Sequence, residues 1–300
     1  MVNLKGKTSL FFSLIVALGM LSIASILIKA LHLKGVDSLT IATGRVTFAA
    51  LLIFPFLLAS RDKKLLSIPH HIVGISAISG IILANHFLCW IQSISYISIA
   101  ESTALVTTTP IWVGIFSVLF LHEKISIRFF WGILFSGLGS LIMFFSGWIG
   151  KPPESNTLGY LLATTGAILM ACYLLIGQRL RNKISLMKYI FLTNAFAAFF
   201  LMLFLIPTGV PYEVFNINIM GLILILSLGP QIVGHTLIIS LARQLSAVFV
   251  SLIIICEPVG AAILAHVIFG ETMPGLTLIS FALLILGVFL AGSAVGRKSL

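Results

Sequence analysis

The sequence predicts an all-α integral membrane protein of ten transmembrane helices, built as two inverted five-helix repeats. Three observations lead there. Only 9% of the 300 residues are charged and 59% are hydrophobic, whereas a soluble domain is about a quarter charged and under half apolar. The second half repeats the first at a constant offset of 148 residues. Phe48-Ala49-Ala50 falls on Phe196-Ala197-Ala198, Ser98 on Ser246, Pro110 on Pro258, Ile115 on Ile263, Glu123 on Glu271, Leu138 on Leu286 and Gly139 on Gly287. The basic residues, finally, crowd onto one side of the alternating loops.

A hydrocarbon core about 30 Å thick calls for spans of about 20 apolar residues. These fall at roughly 8–31, 38–60, 70–92, 96–121, 127–148, 158–178, 187–207, 216–240, 245–269 and 274–295, with ends good to about 2–4 residues. Gly35, Pro69, Pro152-Pro153, Pro211 and Pro274 punctuate the junctions, as helix-ending residues do. The loops are too short to hold a soluble domain. The longest, Gly150 to Thr157, joins the first repeat (residues 1–149) to the second (150–300). Met1 to Lys7 leads into a span too long for a signal-peptide core, so the first segment reads as a retained helix.

Orientation follows from the Lys/Arg bias, which marks the cytoplasmic side. With the N-terminus inside, Lys5, Lys7, Arg61, Lys63, Lys64, Lys124, Arg128, Arg179, Arg181, Lys183, Lys188, Arg243, Arg297 and Lys298 are cytoplasmic, against Lys29, Lys34 and Lys151 outside. Both termini are then cytoplasmic. The net charge of +10 is a topology signal rather than a nucleic-acid footprint. Cys89, Cys172 and Cys256 are scattered through apolar segments and form neither a disulfide framework nor a metal spacing.

Polar side chains at membrane depth are costly and tend to face a cavity or a partner. The third span carries Asn85, His86, Trp90 and Gln92, with His86 and Trp90 four apart on one face. The eighth carries Gln231 and His235, also four apart. The offset takes His86 to Gly234, beside His235, so the two histidines hold nearly equivalent places in inverted helices. Each imidazole either satisfies a neighbouring carbonyl or lines a cavity. In the fourth span Thr103, Thr107, Pro110, Gly114 and Ser117 form a small, polar face, suited to close helix packing. Pro110 and Pro258 stand near mid-span, where proline removes a backbone donor, so each is a candidate hinge or fixed kink.

Glu257 precedes Pro258 near the bilayer centre. Three roles fit a carboxylate there: meeting a substrate amine, carrying a coupling proton, or pairing structurally. Arg45 lies about two turns in from the outer end of the second span. It snorkels to the interface, holds an anionic group on the substrate, or helps set the field in an outer vestibule, and its counterpart is Thr193. Other patterns fail: His122-Glu123 lacks the second His of a zinc-protease helix, and Gly132 to Gly139 precedes no Lys-Ser/Thr pair. Glu123 and Glu271 terminate the fourth and ninth spans as helix-end groups.

These residues resemble the drug/metabolite transporter superfamily, EamA-type, over nearly the whole chain. The resemblance rests on Arg45-Val46-Thr47-Phe48-Ala49, on the run from Pro110 to Glu123, and on the run from Glu257-Pro258 to Glu271. It implies a ten-helix inner-membrane carrier with a central cavity lined by spans including three, four, eight and nine. It also implies movement of small organic solutes, often amino acids, commonly outward. The expectation is therefore a secondary transporter working by alternating access, with His86, Trp90, Gln231, His235 and Glu257 binding solute and Glu257, Pro110 and Pro258 serving coupling or hinge motion. Its partners are a small-molecule solute, the lipid bilayer and protons; no nucleic acid, cofactor or metal is expected. An intramembrane enzyme acting on a lipid or prenyl substrate is the alternative. It needs an acidic or metal cluster, and the eight acidic residues make no pair at ligand spacing.

Overall fold

The computed structural model describes residues 7–59, 68–121, 126–148, 153–209, 216–245, 250, 254, 256–271 and 275–295. The expectations placed on Ser246, Glu123, His122, Pro211, Pro274, Lys5, Arg61, Lys63, Lys64, Lys124, Lys151, Arg297 and Lys298 lie outside those residues. The helices run in order as α1 (Lys7–Leu33), α2 (Ser38–Ala59), α3 (His70–Tyr96), α4 (Ile99–Val106), α5 (Thr109–Leu121), α6 (Ile127–Trp148), α7 (Pro153–Arg179), α8 (Leu186–Thr208), α9 (Ile217–Leu226), a π-helical segment (Ser227–His235), α10 (Thr236–Gln244), α11 (Glu257–Phe269) and α12 (Gly275–Val295).

Seven of the described helical stretches are long and apolar enough to cross a membrane, α4 and α5 counting as one and α9 to α10 as another. Three shorter apolar stretches, Ile127–Ile142, Glu257–Phe269 and Leu278–Gly287, stand where the fifth, ninth and tenth spans were expected. Large apolar side chains such as Phe11, Phe56, Phe120, Phe199 and Val267 are exposed on the rim. On a soluble protein such a surface invites association; here acyl chains cover it. The buried interior is mainly apolar but also holds polar residues, among them Ser25, Thr43, Arg45, Ser79, Ser102, Thr103, Thr193 and Ser227.

Glycines show how the halves meet. A side chain at Gly139 of α6 would lie 2.8 Å from the Ser280 carbonyl of α12, with Leu284 next to it; one at Gly287 of α12 would lie 2.7 Å from the Gly132 carbonyl of α6, with Ser136 next to it. The offset of 148 takes Gly132 to Ser280, Ser136 to Leu284 and Gly139 to Gly287. Each helix therefore touches its own counterpart through the same positions, the mark of a two-fold relation. Because each repeat has five spans, the second enters the bilayer from the opposite face. The result is two inverted repeats about an axis in the membrane plane.

Arg243, at the end of α10, does not extend into a loop. It is buried, and its Nη2 donates to the carbonyls of Arg181 at 2.6 Å, Leu180 at 3.4 Å and Ile184. A bond of this kind to the turn between α7 and α8 satisfies carbonyls that a helix end leaves open. At the opposite face Lys29 of α1 makes an ion pair with Glu271, which follows α11.

Candidate functional site

The fourth and ninth spans build the floor of the site because each is interrupted. In the fourth, α4 begins with a capping box between Ser98 and Glu101 and ends at Val106. Thr107 and Thr108 form a turn and α5 starts afresh at Thr109. Pro110 stands in the first turn of α5 and Pro258 in the first turn of α11, where the missing donor costs nothing. The prolines thus open new helices rather than kinking continuous ones. The Val106 carbonyl, which Pro110 leaves without its helical donor, accepts from the Thr109 hydroxyl at 2.8 Å. Hydroxyls of Thr103, Thr107 and Thr108 likewise donate to carbonyls one turn back at 2.7–2.8 Å. Threonine therefore satisfies the broken backbone that lipid could not.

The eighth span supplies the opposite wall through its π-helical segment, which contains Pro230. A π turn takes in one residue more than an α turn, and such bulges recur at functional sites. The added residue moves the inward face by one position. Gly234 is left packed against Ala17, Met20 and Leu21 of α1, and His235 faces His86.

Between these elements lies a cavity lined by Leu21, His86, Trp90, Val106, Thr107, Thr109, Met170, His235, Ile254 and Glu257. The two-fold relation runs through it: Val106 pairs with Ile254 and Thr109 with Glu257 at the offset of 148, and His86 pairs with His235 once the π turn has added one. The space left for the centre of a water molecule is about 30 Å3, or about two waters at roughly 10–15 Å3 each.

Of the five residues expected to bind solute, His86, Trp90, His235 and Glu257 line it and Gln231 does not. His86 and His235 rings lie 6.5 Å apart, and His86 stacks on Trp90 at 6.2 Å. A ring nitrogen of His86 bonds the Gly166 carbonyl at 2.9 Å, so this imidazole both satisfies a neighbour and faces the cavity. Glu257 is buried at the start of α11, and its backbone carbonyl accepts from Ser22 of α1 at 3.2 Å. Gln231 stands one step behind the cavity. Its Oε1 accepts from Arg45 Nε at 2.7 Å, and its amide donates to Asn194 Oδ1 at 2.9 Å.

Arg45 does not reach the interface. It is completely buried, its guanidinium lies 3.9 Å from the Phe87 ring centre and 5.7 Å from that of Trp90, and among the described residues its Nη1 and Nη2 have no hydrogen-bond partner. Snorkelling fails because α8 and the π-helical segment pack over the residue's face of α2 and supply Asn194 and Gln231 as polar anchors. Sequence reasoning missed Asn194, Thr109, Val106 and Ile254. Thr109 was within reach as the counterpart of Glu257 at the offset of 148, and Asn194 adjoins Thr193, the counterpart of Arg45; Val106 and Ile254 carried no such mark.

Two inverted five-helix units that pack on a two-fold axis, with broken helices and a chamber of mixed lining between them, define a multi-pass membrane transporter architecture. Comparison with known proteins gives the group. The EamA-like transporter family matches twice, over residues 8–145 and 157–293, and the chain belongs to that family. A protein of Clostridium kluyveri described as an uncharacterized transporter is 23% identical over 247 residues, covering 79% of this chain and 78% of that one. A second uncharacterized transporter, from Archaeoglobus fulgidus, is 22% identical over 196 residues, covering 65% and 68%. A solved crystal structure superposes with a TM-score of 0.69 at 19% identity, covering 98% of this chain and all of the other, a likeness of fold.

Proposed function

We propose that this transporter carries a small organic metabolite, an amino acid or a related amphipathic solute, outward across the cytoplasmic membrane by alternating access. Residues 1–149 and 150–300 act as the two moving units, and both chain ends lie in the cytoplasm. One observation carries the reading: the chamber sits on the two-fold axis and draws matching positions, Val106 with Ile254 and Thr109 with Glu257, from both repeats. A site shared in this way can be handed from one face to the other when the units rock.

In this reading His86 and His235 orient polar groups of the solute, Trp90 gives an aromatic wall, and Glu257 meets an amine or takes the coupling proton. Gln231 acts through Arg45. The starts of α5 and α11 provide the hinge positions at Pro110 and Pro258. Because the chamber holds only about two waters, solute entry requires Val106, Ile254 and Met170 to part.

The test is metabolite comparison in cells and medium, with the protein overproduced and deleted. Outward transport appears as solute gained in the medium on overproduction. Glu257→Gln is expected to insert normally and to abolish that gain or remove its dependence on the proton gradient. A variant that still exports at the original rate, with the original response to an uncoupler, removes Glu257 from the mechanism.

A further inference from the structure

Arg45, Trp90 and His235 share one feature: each holds a buried nitrogen without a hydrogen-bond partner among the described residues. They are Arg45 Nη1 and Nη2, Trp90 Nε1 and His235 Nδ1. Guanidinium and indole nitrogens only donate, and an imidazole nitrogen can. Buried donors left open at this rate ask for an acceptor. The groups also lie close together. The Arg45 guanidinium is 5.7 Å from the Trp90 ring and 3.9 Å from Phe87, and Phe87 is 5.1 Å from the His235 ring.

The guanidinium is held in one orientation. Its Nε is taken by Gln231, which is in turn fixed by Asn194, and its central carbon lies 3.9 Å from the Phe87 ring centre. What remains open is the edge carrying Nη1 and Nη2. A planar fork with two parallel donors matches the two oxygens of a carboxylate. No salt bridge joins Arg45 to Glu257 among the described residues, although the two buried groups lie near enough to feel each other's charge, and Nη1 and Nη2 remain without a hydrogen bond. The two charges also come from different repeats, and their counterparts are the neutral Thr193 and Thr109.

From this geometry we infer that Arg45 is a specificity-determining residue that binds the carboxylate of the transported solute through Nη1 and Nη2, with Trp90 Nε1 and His235 Nδ1 as flanking donors. The inference rests on the proposed solute site and adds its polarity. The anionic end points to α2 and the π-helical segment, the remainder to Glu257 and the starts of α5 and α11. Arg45 is not itself part of the cavity wall, whereas Trp90 and His235 are; the carboxylate reaches it between those two side chains as the chamber opens.

The experiment uses the full chain in lipid nanodiscs and follows its thermal midpoint. The probes are matched pairs: neutral L-amino acids with their primary amides, and acetate and benzoate with acetamide and benzamide. Acid and amide share size and shape and differ in the charged oxygens. The expected result is that one or more acids raise the midpoint and bind at least about tenfold more tightly than the paired amides, as loss of a charge-assisted bidentate contact implies. Arg45→Gln should reduce that gap to about threefold or less, and Arg45→Lys, which keeps the charge without the fork, should fall between. The wild-type comparison stands even if Arg45→Gln does not fold. Equal binding of acids and amides, or an acid preference that survives in Arg45→Gln, overturns the inference. If no acid binds while overproducing cells still change the medium, the carboxylate site is refuted and transport stands. If the medium is unchanged as well, the transport reading has itself failed.

Discussion

Thr109 and Glu257 occupy the same place in the two repeats, each one residue before a proline that opens a helix. The difference between hydroxyl and carboxylate sets their work apart. Thr109 donates to the Val106 carbonyl and lightly to that of Ala167, so its polarity is absorbed by backbone. Glu257 instead presents its carboxyl group to the chamber. At the same scale Asn194 fixes Gln231, which fixes Arg45. Replacing Asn194 by Leu leaves a buried amide of Gln231 without its acceptor, a loss of about 1–3 kcal/mol for such a group. The thermal midpoint of the nanodisc-embedded protein should fall accordingly. A midpoint unchanged from wild type would show that Gln231 finds another partner. How much of this was legible in the sequence differs residue by residue. His86, His235, Trp90 and Glu257 stood out because polar groups at membrane depth are rare. Val106 and Ile254 did not, since an apolar residue in an apolar span carries no mark of facing a chamber. Arg45 was visible, but its depth was not: whether a long side chain reaches the interface depends on which helices cover it, and that is a tertiary fact.

At the scale of elements, breaks matter more than lengths. The prolines at 110 and 258 announced interruptions, yet the sequence did not distinguish a kink within one helix from two helices meeting end to end. The π-helical segment left still less trace, because one added residue in a turn changes no composition. Its effect was visible only as the slip from 148 to 149 that relates His86 to His235. Close packing between α6 and α12 gives the element-scale prediction. Gly139→Ala and Gly287→Ala each place a methyl group within 2.8 Å of backbone carbonyl oxygen, and forcing helices apart at such a contact costs about 1–3 kcal/mol. Both should lower the thermal midpoint by similar amounts, as the two-fold relation requires. Gly74→Ala in α3, whose added carbon would meet nothing within 4 Å, is the control. If only one of the pair responds, the crossing is not symmetric.

The whole molecule follows from duplication plus an odd number of spans, and that much was plain from the offset and composition. The direction of insertion was read from the basic bias, and it yields a direct check. Reporter fusions to Met1 and to Leu300 should both report the cytoplasm; a split result would contradict two five-span repeats. Symmetry is broken at one face. The Lys29 to Glu271 ion pair joins α1 to the end of α11, with Phe269 5.7 Å from the lysine nitrogen. The counterpart of Lys29 is Gly177, so the clasp has no twin across the axis. Lys29→Met should therefore raise the reactivity of a cysteine placed at Thr107 toward a membrane-impermeant thiol reagent added from the Lys29 face, read against the same cysteine in an otherwise unaltered chain.

A chamber with room for about two waters also governs what the empty protein lets through. Protons and small ions cross a membrane along connected files of solvent, and a pocket this small holds only a short stretch of such a file. Vesicles carrying the unliganded transporter should consequently hold an imposed proton gradient as long as bare vesicles do, so that a cell can keep the protein in its membrane without draining its own energy supply.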